Sequence, residues 1–178
     1  MKQKINYKWV LKVVALSFFV TIVFNLVSSI LGGAGYIISF LLLLTFMTIG
    51  IVFDMIGIAV TSALPAPFHS MASHHERGAM EALRIIKNAE KTSSICNDIV
   101  SDISGVVSGA LSVIIATRII SEPSVENIIV QLVISGLVTA LTVGGKAIGK
   151  TIAINNSTKI VLAVGKVLSI KSGISSKK

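Results

Sequence analysis

The sequence predicts an all-α protein: a polytopic membrane helical bundle of about four spans, with two amphipathic interfacial helices. Three observations carry that expectation. The 178 residues are 53% hydrophobic and only 13% charged, where a soluble domain has roughly a quarter of its residues charged. Four apolar segments, residues 9–31, 36–62, 103–120 and 127–143, are long enough to cross about 30 Å of hydrocarbon as helices. Basic residues gather in alternate segments between them, the pattern of the positive-inside rule.

Lys2, Lys4, Lys8 and Lys12 stand at the head of the first span. With Gly32, Gly33 and Ala34 beyond it, this stretch has the outline of a signal peptide. Its apolar run of about 22 residues exceeds a typical h-region, so a retained anchor helix is expected over residues 1–35. The second span carries Gly50, Asp54, Gly57 and Thr61 at steps of four, three and four, all on one helical face. Small residues there let a neighbouring backbone approach closely. Pro65 and Pro67 end the helix, because proline has no N–H to donate.

Residues 69–91 change pattern. Ala79, Ala82, Leu83, Ile86 and Ala89 recur at helical spacing, with Glu81, Arg84, Lys87 and Lys91 mostly elsewhere on the wheel. Two readings fit and do not exclude each other: a helix lying on the inner leaflet with its cations at the headgroups, and a helix packed on its neighbours. The third span places Asp98, Asp102, Gly105 and Gly109 on one stripe, with Ser101, Ser104, Ser108 and Ser112 alongside. Gly105-x-x-x-Gly109 is a close-packing motif. The fourth span repeats the theme with Gln131, Ser135, Thr139, Thr142 and Lys146. Such stripes form either a hydrated path or a tight bundle in which the hydroxyls bond their own backbone. After Gly144-Gly145, residues 155–158 predict a turn into a second interfacial helix. There Ile160, Val161, Val164, Val167 and Leu168 alternate with Lys159, Lys166 and Lys171.

Charge sets the expected orientation. Arg77, Arg84, Lys87 and Lys91 lie between spans two and three, and a basic tail follows span four, including residues 173–178. The other two connections carry almost no positive charge, so both termini and the middle segment are expected in the cytoplasm, at the plasma membrane. Arg118 stands near the outer end of span three, with Glu122 one turn later to pair with it. The net charge of +8 does not point to nucleic acid, because it follows the membrane boundaries and no stacking aromatics accompany it. Anionic lipid headgroups are the expected partner. The single cysteine, Cys96, makes an intrachain disulfide impossible. No enzyme is expected: there is no nucleophile–base arrangement, and all three histidines fall within residues 69–75.

Three stretches together carry a resemblance. HHERGAMEALRIIKNAEKTSSICNDIV is similar to the juxtamembrane helix and following span in the transmembrane domain of CNNM/CorC/CorB-type magnesium transporters. GGKAIGKTIAINNSTKIVLAVGKVLSI resembles the end of that domain, and FDMIGIAVTSA falls where its first span would lie. The resemblance covers residues 36–172 and leaves 1–35 as an additional span. It implies a dimeric membrane domain linked to Mg²⁺ export, commonly joined to cytoplasmic CBS domains. It implies that Asn97 is a cation ligand and that Asp54 falls where members often carry serine near the metal. Gly57 stands where glutamate is common, Lys146 on or beside a further glutamate, and Gly149 where that run has proline before Lys150. No CBS domain follows in this chain, so a separate cytoplasmic regulatory partner is a further expectation.

The residues themselves point to the same region. A carboxylate within hydrocarbon costs several kcal/mol unless compensated, and Asp54 lies about 14 Å into span two from its cytoplasmic end. Mg²⁺ takes oxygen ligands in near-octahedral geometry and keeps several waters. Asp54, Asn97, Asp98, Ser101 and Asp102 are the candidate metal ligands, with Ser62 as a further oxygen. Adjacent His74 and His75 diverge on a helix and Cys96 is alone, so zinc and copper are poor fits. Two expectations compete. In one, Asp54 and Asn97, assisted by Asp98 or Asp102, bind a hydrated divalent cation that is moved or held. In the other, Lys146 pairs with Asp54 or Asp102 as a fixed salt bridge, and the chain is a non-transporting module that regulates or scaffolds a partner. A third reading treats Asp98 and Asp102 as first-turn acids favoured by a helix N-terminus.

Overall fold

In the computed structural model, residues 7–32, 35–119 and 125–175 are described, and they are helical almost throughout, with no strand among them. The order is α1 (Tyr7–Gly32), α2 (Tyr36–Ser62), α3 (Pro65–Ser73), α4 (Ala79–Lys87), α5 (Ala89–Ser94), a π-helical turn (Ile95–Ser101), α6 (Asp102–Ile119), α7 (Val125–Asn155) and α8 (Ser157–Ser175). Four rods are long and apolar enough to cross a membrane: Tyr7–Ile30, Tyr36–Ser62, Ala89–Ile119 and Ile128–Asn155. The all-α membrane reading therefore holds.

Two boundaries differ from the sequence reading. The third rod begins at Ala89 rather than 103, because α5, the π-helical turn and α6 run on without a break in helical bonding. The fourth does not stop at Val143. It passes through Gly144-Gly145 to Asn155, since Gly145 and Gly149 are where Ile51 and Met55 press against it. The predicted turn survives only as a joint at Asn156, bridged by Asn156 N–H to Ile152 C=O and Ile160 N–H to Asn156 C=O. Residues 69–91 are not one helix. α3 starts at Pro65 after an extended Leu64 (φ −84°, ψ 137°), the conformation favoured before proline. A turn with His75 at φ 56° and Gly78 at φ 85° then separates it from α4.

The chain divides into two compact units, each made of two separated stretches. The first joins residues 1–50 and 102–142. Here α1 packs on α6, and Phe24 of α1 meets Phe46 of α2 edge to face at 5.4 Å. The Tyr36 hydroxyl donates to the Arg118 carbonyl at 2.8 Å, tying the start of α2 to the end of α6. Ser104, Ser108 and Ser112 are buried. Ser108 and Ser112 bond the carbonyls of Gly105 and Gly109 in their own helix, as Thr45, Thr48, Thr117, Thr139 and Thr142 bond those of theirs. These hydroxyls are thus satisfied locally, and the stripe reads as close packing. Among the described residues, Gly105 and Gly109 themselves have nothing within 4 Å of where a Cβ would lie, so there their motif joins no neighbouring helix.

The second unit joins residues 51–101 and 143–178. Its core gathers Ala59, Val60, Ala63, Phe68, Ala82, Ile85, Ala153 and Val161. The apolar face of α4, with Ala79, Ala82 and Ile85 buried, packs on α3 and α8. These contacts bear out the packed-helix reading of this amphipathic segment, and a place at the inner leaflet is compatible with it. A reciprocal glycine contact makes the approach possible: a Cβ on Gly78 would meet the backbone of Gly165 and Lys166, and one on Gly165 would meet the Gly78 carbonyl. An exposed pair, Lys166 Nζ to Glu76 Oε1 at 3.4 Å, flanks it.

Candidate functional site

The site residues of the second unit lie around α2 and the π-helical turn. Gly57 is pressed so closely against Asn97 that an added Cβ would fall on the Asn97 amide oxygen. The missing side chain at Gly57 is what lets this turn of the third rod sit against α2. Asp54 lies one helical turn before Gly57 on the same face, half-buried.

The turn from Ile95 to Ser101 is wound as a π-helix. This rare geometry occurs mostly as single turns inside α-helices, frequently at functional sites. Its looser winding changes which side chains point inward. Cys96, Ile99 and Ser101 are buried, while Asp98 is exposed. Asn97 donates through Nδ2 to Ser93 Oγ at 3.3 Å. Among the described residues, its Oδ1 and the Oγ of Ser101 are both buried and have no hydrogen-bond partner. Buried polar atoms are satisfied in the great majority of cases, and leaving one unmade costs about 1–3 kcal/mol. Each of the two oxygens is of a kind that accepts a donor or a hard cation.

The sequence candidates part company here. Asp54, Asn97 and Ser101 are at least partly buried in the second unit. Asp98 faces outward on the same turn, and Ser62 is exposed at the end of α2. Asp102 opens α6 in the first unit and is also exposed. Among the described residues no three His, Cys, Asp or Glu side chains converge as a metal cage. The sequence candidates in the second unit that are at least partly buried thus offer a carboxylate, an amide oxygen and a hydroxyl, the oxygen types a hard cation takes.

A second seam of the same unit places Lys146. Gly145 would meet Ile51 Cδ1 at 2.5 Å and Gly149 would meet Met55 Cγ at 2.8 Å if each carried a Cβ. Rising numbers on α2 thus match rising numbers on α7, and the helices run parallel along this seam. At 100° per residue, Asp54 on α2 and Lys146 on α7 then fall on the same flank, within about one turn of each other in depth. Asp54 stands between that flank and the face that meets Asn97. Three features escaped sequence reading: the π-helical winding, the partnership of Gly57 with Asn97, and Ser93 as the amide's partner. Only the small residue at Gly57 left a trace in the sequence.

Taken together, the helices define an all-α protein with four rods long and apolar enough to cross a membrane. Comparison with known proteins gives no matching family model, no matching curated protein and no matching solved structure.

Proposed function

We propose that this chain binds a hydrated divalent cation, Mg²⁺ first, at Asp54, Asn97 and Ser101, and moves it across the membrane. Asp98, on the same turn as Asn97, acts as an outer acid that draws the cation toward the site. The observation that carries this reading is the pair of buried, unpartnered oxygens on the π-helical turn. The resemblance to CNNM/CorC/CorB-type transporters points to the same ion, and both termini then lie in the cytoplasm of a plasma-membrane protein. A homodimer belongs to the proposal, since the open Gly105 and Gly109 face admits a second copy's backbone. So does a separate cytoplasmic regulatory partner.

The test is Mg²⁺ flux into proteoliposomes carrying the purified full chain, with Asn97→Leu and Asp54→Asn alongside. Flux in wild type that falls at least tenfold in both variants supports the proposal. Folded wild-type protein that neither passes Mg²⁺ nor gains thermal stability from it sinks the proposal.

A second reading has its own support, the shared flank of Asp54 and Lys146 along the glycine seam. There the Lys146 ammonium stands where a cation would, and the chain is a non-transporting module that regulates or scaffolds a partner. Removing one member of a desolvated ion pair leaves the other uncompensated. Lys146→Ala would then lower stability by about 1–3 kcal/mol, the buried-pair cost discounted for partial exposure. Under the cation reading the same change strengthens Mg²⁺ binding instead.

A further inference from the structure

Beside the buried face of α4 lies a second feature that the cation reading does not use. Pro65 and His69 of α3, four residues apart, and Leu83, Ile86 and Lys87 of α4 share a groove of about 310 Å³. The spacings i, i+4 and i, i+3, i+4 mean that each helix gives it one face. Its volume is at the lower end of the range for small-molecule sites. Leu83, Ile86 and Pro65 make its walls apolar, while His69 and Lys87 supply the polar groups.

Position decides what such a groove meets. α2 spans 27 residues to Ser62, about 40 Å of helix, more than the hydrocarbon alone needs. Its last turn therefore reaches the headgroup layer, and Pro65 follows three residues later. Leu64 is 71% exposed and Met80 56% exposed in the same unit. Apolar side chains left open next to a spanning helix are at home in the acyl boundary. Arg84 and Lys87 are exposed on α4, three residues apart, which sets two cations on neighbouring positions.

We infer that this groove is a binding site for one anionic phospholipid, its acyl chain against Leu83 and Ile86 and its phosphate at Lys87, with His69 beside it. The inference is independent of the cation site. Leu83 and Ile86 give the chain a wall, and Lys87 discriminates charge. A single basic residue near a membrane surface strengthens binding by about fivefold.

The experiment measures the thermal midpoint of the delipidated full chain in detergent, titrated with phosphatidylglycerol, phosphatidylcholine or glycerol phosphate. Phosphatidylglycerol should stabilise at a concentration about fivefold lower than phosphatidylcholine, and glycerol phosphate should not stabilise. Lys87→Gln should remove the preference between the two lipids. Ile86→Trp, which fills the groove, should remove stabilisation by both, with Met80→Trp as an exposed control that retains it. Equal response to the two lipids, a preference that survives Lys87→Gln, or stabilisation that survives Ile86→Trp each overturns the site. Stabilisation by glycerol phosphate equal to that by the lipid overturns the acyl-chain assignment, leaving a site for free anions.

Discussion

A methyl group added at Gly57 would land on the Asn97 amide oxygen, and that side chain is held on its far end by Ser93. Overpacking of this kind typically costs about 1–3 kcal/mol. Gly57→Ala should therefore lower the thermal midpoint, and much of the loss should return in the Gly57→Ala, Asn97→Ala double variant. A double-mutant cycle showing simple additivity would remove the contact from the account. The sequence exposed Asp54 because a carboxylate in an apolar run is conspicuous. It could not separate Ser101 from Asp98, since both belong to the same turn. Which of them is buried depends on the π-helical winding, and no residue pattern in ICNDIVS announces that.

Between elements, the turn before α4 approaches α8 backbone to backbone. Gly78 combines φ 85° with backbone atoms of Lys166 and Gly165 where a Cβ would be, so both conformation and space exclude a side chain. Gly78→Ala should cost more than about 2 kcal/mol, and a protein with an unchanged unfolding midpoint would contradict the packing. Glu76→Gln should change stability by less than about 1 kcal/mol, because its pair with Lys166 is open to solvent, and added salt should erase the difference. Helix α4 was legible because its apolar spacing is strict. The break before it was less so: Gly78 is an ordinary punctuation mark, but the left-handed His75 has no signal of its own. Gly144-Gly145 misled in the opposite sense. A glycine pair reads as a stop, yet here Gly145 serves lateral contact inside a continuous helix.

At the scale of the whole molecule, four apolar rods were readable from length and hydropathy alone, because the cost of unsatisfied backbone in lipid allows few alternatives. The proposed orientation is checked by single cysteines in a Cys96→Ser background. A membrane-impermeant maleimide should label Ser70→Cys and Lys159→Cys only from the cytoplasmic face, and Ser121→Cys only from outside. Any label crossing sides inverts the topology. Gly109→Leu tests the proposed dimer: it should reduce crosslinking between copies, and a helix propensity gain of up to about 1 kcal/mol should leave the single chain no less stable.

The interleaving of the two units also governs how the protein is made. The face of α4 bearing Ala79, Ala82 and Ile85 is completed by α8, whose Gly165 is synthesised about 80 residues later, or about 4–16 s at ordinary elongation rates. Over that interval the nascent chain presents an uncovered apolar surface beside the ribosome. The bilayer at the end of α2 is the nearest shelter for it, so a delay in producing the final helix should prolong membrane contact or invite holding factors.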